Sequence, residues 1–125
     1  MPAIQRLTPM LRTWDLPGTL DFYMHSLDFV VTSQAPGWAA MARDGIALMV
    51  SSPNDPMGDV TPAFTGSLYF QVDDVDALWA SLPATRKVCY PPETFGYGMR
   101  EFGIYDNNGY LLQFGTPVCE PGLIA

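Results

Sequence analysis

The stretch that decides the fold spans residues 97–115 and reads YGMREFGIYDNNGYLLQFG. Two strand-like segments in it flank the pair Asn108-Gly109, whose residues favour the positive φ angles that tight hairpins require. A similar arrangement occurs earlier in the chain, where Asp44-Gly45 is followed by the apolar segment 46–50. The sequence therefore predicts a β-hairpin at both places.

The hairpins belong to a longer internal repeat. Residues 8–15 align with residues 67–74, and both segments alternate like a strand before they end on an acidic residue. After that residue, apolar side chains recur at the three- to four-residue spacing of a helix. Asp15 and either Asp73 or Asp74 are expected to cap these helices, because a carboxylate accepts hydrogen bonds from the unsatisfied N–H groups of a first turn.

Further strand-like segments follow each predicted helix, at 29–33 and 38–43 in the first half and at 86–90 and 100–105 in the second. Each half therefore reads β-α-β-β-β, and the fold class is α+β. The 125 residues fit one domain. We predict module one at about 4–53, a Pro- and Gly-rich linker at 54–66 and module two at about 67–119.

Composition restricts the partners. The chain has 6 Lys and Arg against 13 Asp and Glu, so its net charge of -7 repels phosphate backbones and anionic lipids and favours a cationic small molecule. The charge therefore predicts that nucleic acid is not a partner. No apolar run is long enough for a membrane span or a signal peptide, so we expect no membrane partner either. Cys89 and Cys119 are then expected to be free thiols in the cytoplasm.

Three segments carry a family resemblance: LTPMLRTWDLPGTLDFYMHSLDF, LYFQVDDVDALWASL and the stretch 97–115. They resemble the vicinal oxygen chelate superfamily, which contains glyoxalase I, bleomycin resistance proteins and extradiol dioxygenases, and the last segment most resembles the bleomycin resistance branch. The resemblance covers roughly residues 7–117. It implies paired βαβββ modules whose curved mixed sheets form a concave cleft, and it implies that two chains associate as a homodimer.

Strand alternation then predicts which side chains face the cleft. If Leu68 and Phe70 pack on the helix, their neighbours point the other way, and the repeat transfers this pattern to the first module. Aromatic side chains there can stack a planar ligand, methionines can adapt to its shape, and polar tips can orient it. The residues predicted to line the cleft are Thr8, Met10, Arg12, Trp38, Met49, Ser67, Tyr69, Gln71, Tyr97, Arg100, Phe102 and Gln113.

The resemblance also implies where a metal would sit. Metal-dependent members hold a divalent ion with His, Gln or Glu at four positions that match Thr8, Met49, Ser67 and Gln113. Two hydroxyls, a thioether and one amide are poor ligands for zinc, nickel or iron, so we expect no metal and no other cofactor. The sole histidine, His25, is expected to be a solvated helix residue rather than a ligand or base.

Other catalytic patterns are weak. Glu93 and Glu101 could act as a carboxylate pair only if folding brings them together, and the prolines around Glu93 predict a loop there rather than a strand. No set of residues around the single histidine suggests nucleophilic catalysis.

Three functions remain open. The first is a metal-free small-molecule binding protein of the glyoxalase/bleomycin resistance type, which sequesters an aromatic, cationic compound in the cleft. The second is a metal-dependent lyase, isomerase or dioxygenase with a displaced metal site that includes Gln113, Glu101 and residues of a second chain. The third is a subunit whose cleft serves only as an interaction surface.

Overall fold

A computed structural model describes residues 2–53 and 62–118. The chain divides into two compact units, Met1–Ala63 and Phe64–Ala125. Within the described residues, each unit contains one helix and one four-stranded sheet in the order β-α-β-β-β, so the predicted pair of βαβββ modules is confirmed. Most of the predicted linker, residues 54–61, lies outside the described residues, as does Cys119.

The first unit contains β1 (Met10–Arg12), α1 (Leu16–Leu27), β2 (Val30–Ala35), β3 (Trp38–Arg43) and β4 (Ile46–Ser51). Its sheet has the order β1-β4-β3-β2, with β1 parallel to β4 and the other pairs antiparallel. The core between helix and sheet consists of apolar side chains that alternate along the strands. They include Leu11, Leu20, Tyr23, Leu27, Ala39, Met41, Leu48 and Val50.

The second unit repeats this plan with β5 (Ser67–Gln71), α2 (Val75–Ser81), β6 (Lys87–Phe95), β7 (Met99–Tyr105) and β8 (Leu111–Pro117). The sheet order is β5-β8-β7-β6, again with one parallel pair, β5 and β8. Trp79 of α2 packs edge-on against Phe102 of β7, and Phe102 stacks on Phe114 of β8. These contacts identify the face of the sheet that packs against α2.

The helix caps follow the sequence prediction. The Asp15 side chain accepts a hydrogen bond from the backbone N–H of Gly18 at 3.0 Å, and the Asp74 side chain accepts one from that of Ala77 at 3.1 Å. His25 is exposed on α1, where Nε2 lies 3.1 Å from an Asp21 carboxylate oxygen, so its interpretation as a solvated helix residue is confirmed.

One of the two predicted hairpins is tight and the other is not. Asp44 and Gly45 both have positive φ, 51° and 80°, as a two-residue turn requires. At the second site only Gly109 has positive φ, 87°. The buried Asp106 carboxylate accepts hydrogen bonds from the backbone N–H groups of Asn108 and Tyr110, which holds a longer loop in place of a tight turn.

Two strand predictions were wrong at their ends. The first strand begins at Met10, so Thr8 precedes it. Glu93 lies in a strand rather than a loop, because β6 continues through Pro91 and Pro92 to Phe95. Proline removes a backbone donor, but β6 is an edge strand and its register shifts between Tyr90 and Glu93, so the sheet tolerates both rings.

Cys89 is a free, exposed thiol on β6. Within the described residues, no helix combines the length and the apolar character needed to cross a bilayer.

Candidate functional site

The buried carboxylate of Glu101 is the centre of the candidate site. Glu101 lies in the middle of β7, and because Phe102 beside it packs under α2, its side chain points to the opposite face of the sheet. The residue is only 2% exposed. Its Oε1 accepts hydrogen bonds from the hydroxyls of Tyr69 at 2.9 Å and Tyr97 at 2.8 Å, and its Oε2 accepts one from Tyr90 at 2.5 Å.

Every strand of the second sheet contributes to this arrangement. Gln113 of β8 donates from Nε2 to the Tyr90 hydroxyl at 2.9 Å, and its Oε1 accepts a hydrogen bond from Ser67 of β5. Tyr97 reaches the carboxylate from the turn between β6 and β7. We call this group the carboxylate–tyrosine cluster. Its members are Ser67, Tyr69, Tyr90, Tyr97, Glu101 and Gln113.

Two glycines make room for the tyrosine rings. A Cβ atom on Gly115 would lie 2.2 Å from the Tyr69 hydroxyl oxygen, and one on Gly103 would lie 2.5 Å from Cε1 of Tyr90. Gly115 pairs with Glu101 across β8 and β7, and Gly103 pairs with Tyr90 across β7 and β6. The missing side chains therefore let both rings lie against the sheet and reach the carboxylate.

The tyrosines are held in their protonated form. Burial, followed by the hydrogen bond to Glu101, raises the pKa of Tyr69 to about 12. The same causes, burial first, raise the pKa of Tyr90 above its ordinary value. For Tyr97 the hydrogen bond to Glu101 is the main cause of the raised pKa. At neutral pH all three hydroxyls therefore carry their protons and direct them at the carboxylate.

Four of the residues predicted for the cleft in the second unit meet in this cluster: Ser67, Tyr69, Tyr97 and Gln113. Gln71 is exposed at the end of β5, two residues beyond Tyr69.

The placement predicted for Arg100 and Phe102 was wrong. Both lie on the α2 face, because alternate residues of β7 point to the same side. Arg100 Nε donates to Oδ2 of Asp76 on α2 at 2.8 Å, and Phe102 is fully buried against Trp79.

Of the remaining two members of the cluster, Glu101 was predicted only as part of the alternative metal site, and Tyr90 was not predicted. Alternation from Phe102 was a signal for Glu101, since the neighbour of a helix-facing residue must face away. Folding does bring Glu93 and Glu101 together, because they pair across β6 and β7. In this antiparallel register the two carboxylate side chains share one face.

The first unit brings four of its five predicted residues onto one face of its own sheet, and the fifth, Thr8, precedes β1. Met10 pairs with Met49, while Arg12 and Trp38 both pair with Ser51, so these side chains share a side. The guanidinium of Arg12 donates from Nη1 to the Ser51 hydroxyl at 2.6 Å. This face combines an aromatic ring, two flexible thioethers and one cation.

The residues at the positions that hold metal in the metal-dependent members do not fit a metal ion. In the first unit they are the Thr8 hydroxyl and the Met49 thioether. In the second, both ends of the Gln113 amide are already hydrogen-bonded, to Ser67 and Tyr90. Zinc, nickel and iron require imidazole, carboxylate or thiolate donors. Over residues 2–53 and 62–118, no three His, Cys, Asp or Glu side chains gather in a metal-binding group.

A family model described as "Glyoxalase/Bleomycin resistance protein/Dioxygenase superfamily" matches residues 4–114. The chain belongs to this superfamily. The resemblance to the vicinal oxygen chelate superfamily, predicted from the sequence, is thereby confirmed. No curated protein sequence matches this superfamily member.

Solved structures share the fold. TnmS3, an antibiotic binding protein from Streptomyces sp. CB03234, is 23% identical, with a TM-score of 0.77 over 94% of this chain and 99% of its own. A bleomycin resistance determinant encoded on transposon Tn5 is 22% identical, with a TM-score of 0.70 over 91% of this chain and 98% of its own. A glyoxalase/bleomycin resistance protein/dioxygenase from Nocardioides is 18% identical, with a TM-score of 0.76 over 100% and 93%. At these identities the likeness shows the fold alone.

Proposed function

We propose that this superfamily member is a small-molecule-binding protein, which sequesters an aromatic, cationic compound without using a metal ion. The observation that carries the proposal is the carboxylate–tyrosine cluster, which joins a buried negative group to exposed aromatic rings. The net charge of -7 favours the approach of a cation. Two proteins with this fold are described as an antibiotic binding protein and a bleomycin resistance determinant, which supports binding as the function.

The aromatic part of the ligand is inferred from the exposed rings. Tyr69 is 46% exposed and Tyr97 is 60% exposed, although both hydroxyls are held by Glu101. Tyr97 also stacks parallel to Phe95 at 5.5 Å between ring centroids, so its orientation is restrained from one side. A ring held in this way offers a flat, preorganised surface for a planar molecule.

The cluster supports binding better than acid–base catalysis. A general base must be deprotonated at the working pH, and an efficient general acid must have a pKa near that pH. The raised pKa of Tyr69, about 12, keeps its hydroxyl protonated and makes it a weak acid. Glu101 accepts three hydrogen bonds from these hydroxyls and is nearly inaccessible. The group therefore resembles a fixed recognition surface more than a proton-transfer site.

Isothermal titration calorimetry tests the proposal. We expect heat of binding with bleomycin or with a planar cation such as proflavine, and at least a fivefold loss of affinity in Tyr97→Ala. The matched control is Trp14→Ala, which removes an exposed aromatic side chain that precedes α1. The absence of heat with every planar cation at high protein concentration would overturn the function. Stoichiometric zinc, nickel or iron in protein purified without chelator would overturn its metal-free character.

We also propose that the protein is a cytoplasmic homodimer. The exposed free thiol of Cys89 is typical of a reducing compartment. Each four-stranded sheet ends in edge strands, β1 and β2 or β5 and β6, which a second copy can cover. Light scattering should give twice the 13.8 kDa chain mass at micromolar concentration, and a species of the single-chain mass would contradict the dimer.

A further inference from the structure

The hydrogen bonds to Glu101 in the carboxylate–tyrosine cluster all have the same direction, from a tyrosine hydroxyl to the carboxylate. Tyr69, Tyr90 and Tyr97 each donate their hydroxyl proton to Glu101. A tyrosine hydroxyl has one proton, so a committed hydroxyl can offer a ligand only its acceptor lone pairs. Gln113 already donates to the Tyr90 oxygen. The Tyr69 and Tyr97 oxygens are therefore the acceptors that the cluster presents to a ligand.

The buried negative charge of Glu101 is balanced by hydroxyl groups rather than by a cation. In the described part of the chain, the ion pairs are His25–Asp21, Arg43–Asp44 and Arg100–Asp76, and none includes Glu101. Buried charges in proteins are usually paired with an opposite charge. Glu93, which pairs with Glu101 across the two strands and is exposed, adds a second negative group on the same face.

We propose that the cluster recognises a protonated amine, which donates N–H groups to the hydroxyl oxygens of Tyr69 and Tyr97. This inference rests on the proposed function and specifies the cationic group of its ligand. It requires at least two N–H donors on one nitrogen, which a primary ammonium supplies and a quaternary ammonium lacks.

The geometry of the two acceptors fits one nitrogen atom. Both hydroxyl oxygens lie within 2.9 Å of the same carboxylate oxygen, Oε1 of Glu101. Their separation is thus small enough for a single ammonium nitrogen to lie within the usual 2.7–3.2 Å of each. The half-exposed rings add attraction for a cation above their faces.

Three ligands that share a naphthylmethyl group test the inference by calorimetry: naphthalen-1-ylmethylammonium, its N,N,N-trimethyl analogue and 1-naphthalenemethanol. We expect the primary ammonium to bind at least tenfold more tightly than either of the others. Glu101→Gln removes the charge and adds an N–H donor that forces at least one tyrosine hydroxyl to turn. This variant should bind the ammonium at least tenfold more weakly and the alcohol within twofold of wild type.

Two further variants keep the test decisive. Asp21→Asn changes the net charge by the same amount on the exposed side of α1, and should leave all three affinities within twofold. Tyr97→Phe removes one acceptor at an exposed position, so it tests the inference even if Glu101→Gln fails to fold. It should weaken binding of the ammonium ligand at least threefold and leave the affinity for the alcohol unchanged.

The outcomes separate this inference from the proposed function. Recognition of a protonated amine would be overturned by equal affinity for the three ligands, or by ammonium binding that is unchanged in both Glu101→Gln and Tyr97→Phe. Either result would still agree with the binding of aromatic compounds. Failure of these ligands and of all the planar cations to bind would overturn both.

Discussion

The substitution Gly115→Ala tests how the sheet holds Tyr69 against Glu101. The new Cβ would lie 2.2 Å from the Tyr69 hydroxyl oxygen and 3.0 Å from the Met99 methyl carbon. Met99 can move because it is flexible, but the Tyr69 hydroxyl can only clear the methyl group by leaving the carboxylate. The backbone itself does not resist the change, since Gly115 has no positive φ angle.

The expected cost follows from two opposing effects. A hydrogen bond to a charged group contributes about 1.5–3 kcal/mol, and it is lost when Tyr69 moves. Replacing glycine by alanine within a strand returns about 0.5–1 kcal/mol of backbone entropy. Gly115→Ala should therefore lower the free energy of unfolding by about 1–2 kcal/mol. In a Tyr69→Phe background the bond is already absent, so the same substitution should raise the free energy of unfolding by about 0.5–1 kcal/mol.

A double-mutant cycle measures this coupling. Urea unfolding of wild type, Gly115→Ala, Tyr69→Phe and the double variant should give a coupling free energy of about 1.5–3 kcal/mol, the value of the shared hydrogen bond. Additive effects, with a coupling below about 0.5 kcal/mol, would refute the reasoning that Gly115 acts by making room for the Tyr69 hydroxyl.

Three further predictions concern the second unit. The pKa of Tyr69 is raised to about 12, so the protonated hydroxyl stabilises the fold below pH 10 and this stabilisation is lost as pH rises from about 10 to 12. The ultraviolet titration curve of wild type, after subtraction of the curve of Tyr69→Phe, should show ionisation near pH 12. Arg100→Ala should leave ligand affinity within twofold, because Arg100 pairs with Asp76 on the α2 face, and a tenfold loss by calorimetry would contradict that placement. Phe102→Ala removes a fully buried ring and should cost about 3–5 kcal/mol in urea unfolding, whereas a cost below about 1 kcal/mol would mean that the ring is not in the core.

The features predicted correctly from the sequence depend on residues that are close together along the chain. Asp15 and Asp74 cap their helices through N–H groups three residues ahead. Asp44-Gly45 forms its turn within two residues. The repeat of these local signals, with strand and helix periodicity between them, was enough to predict two βαβββ modules and the superfamily.

The candidate site was predicted only in part, because it depends on which strand faces which. Ser67, Tyr69 and Gln113 were assigned to the correct face, since Phe70 and Phe114 fix the alternation of β5 and β8. For β7, the fully buried Phe102 was mistaken for a ligand contact, which reversed the faces and left Glu101 out of the residues predicted to line the cleft. The aromatic, hydroxyl and amide side chains of the cluster were predicted, but the position of Glu101 at its centre was not.

The sequence by itself determined the two modules, their caps and one tight turn, because each arises from short-range hydrogen bonds and from the periodicity of apolar residues. Only the tertiary structure decided that Tyr69, Tyr90 and Tyr97 meet on Glu101. That convergence depends on the irregular register of β6, which shifts on both sides of Tyr90 and interrupts simple alternation. It also depends on cross-strand neighbours such as Gly103 and Gly115, whose missing side chains leave space that no local pattern reveals.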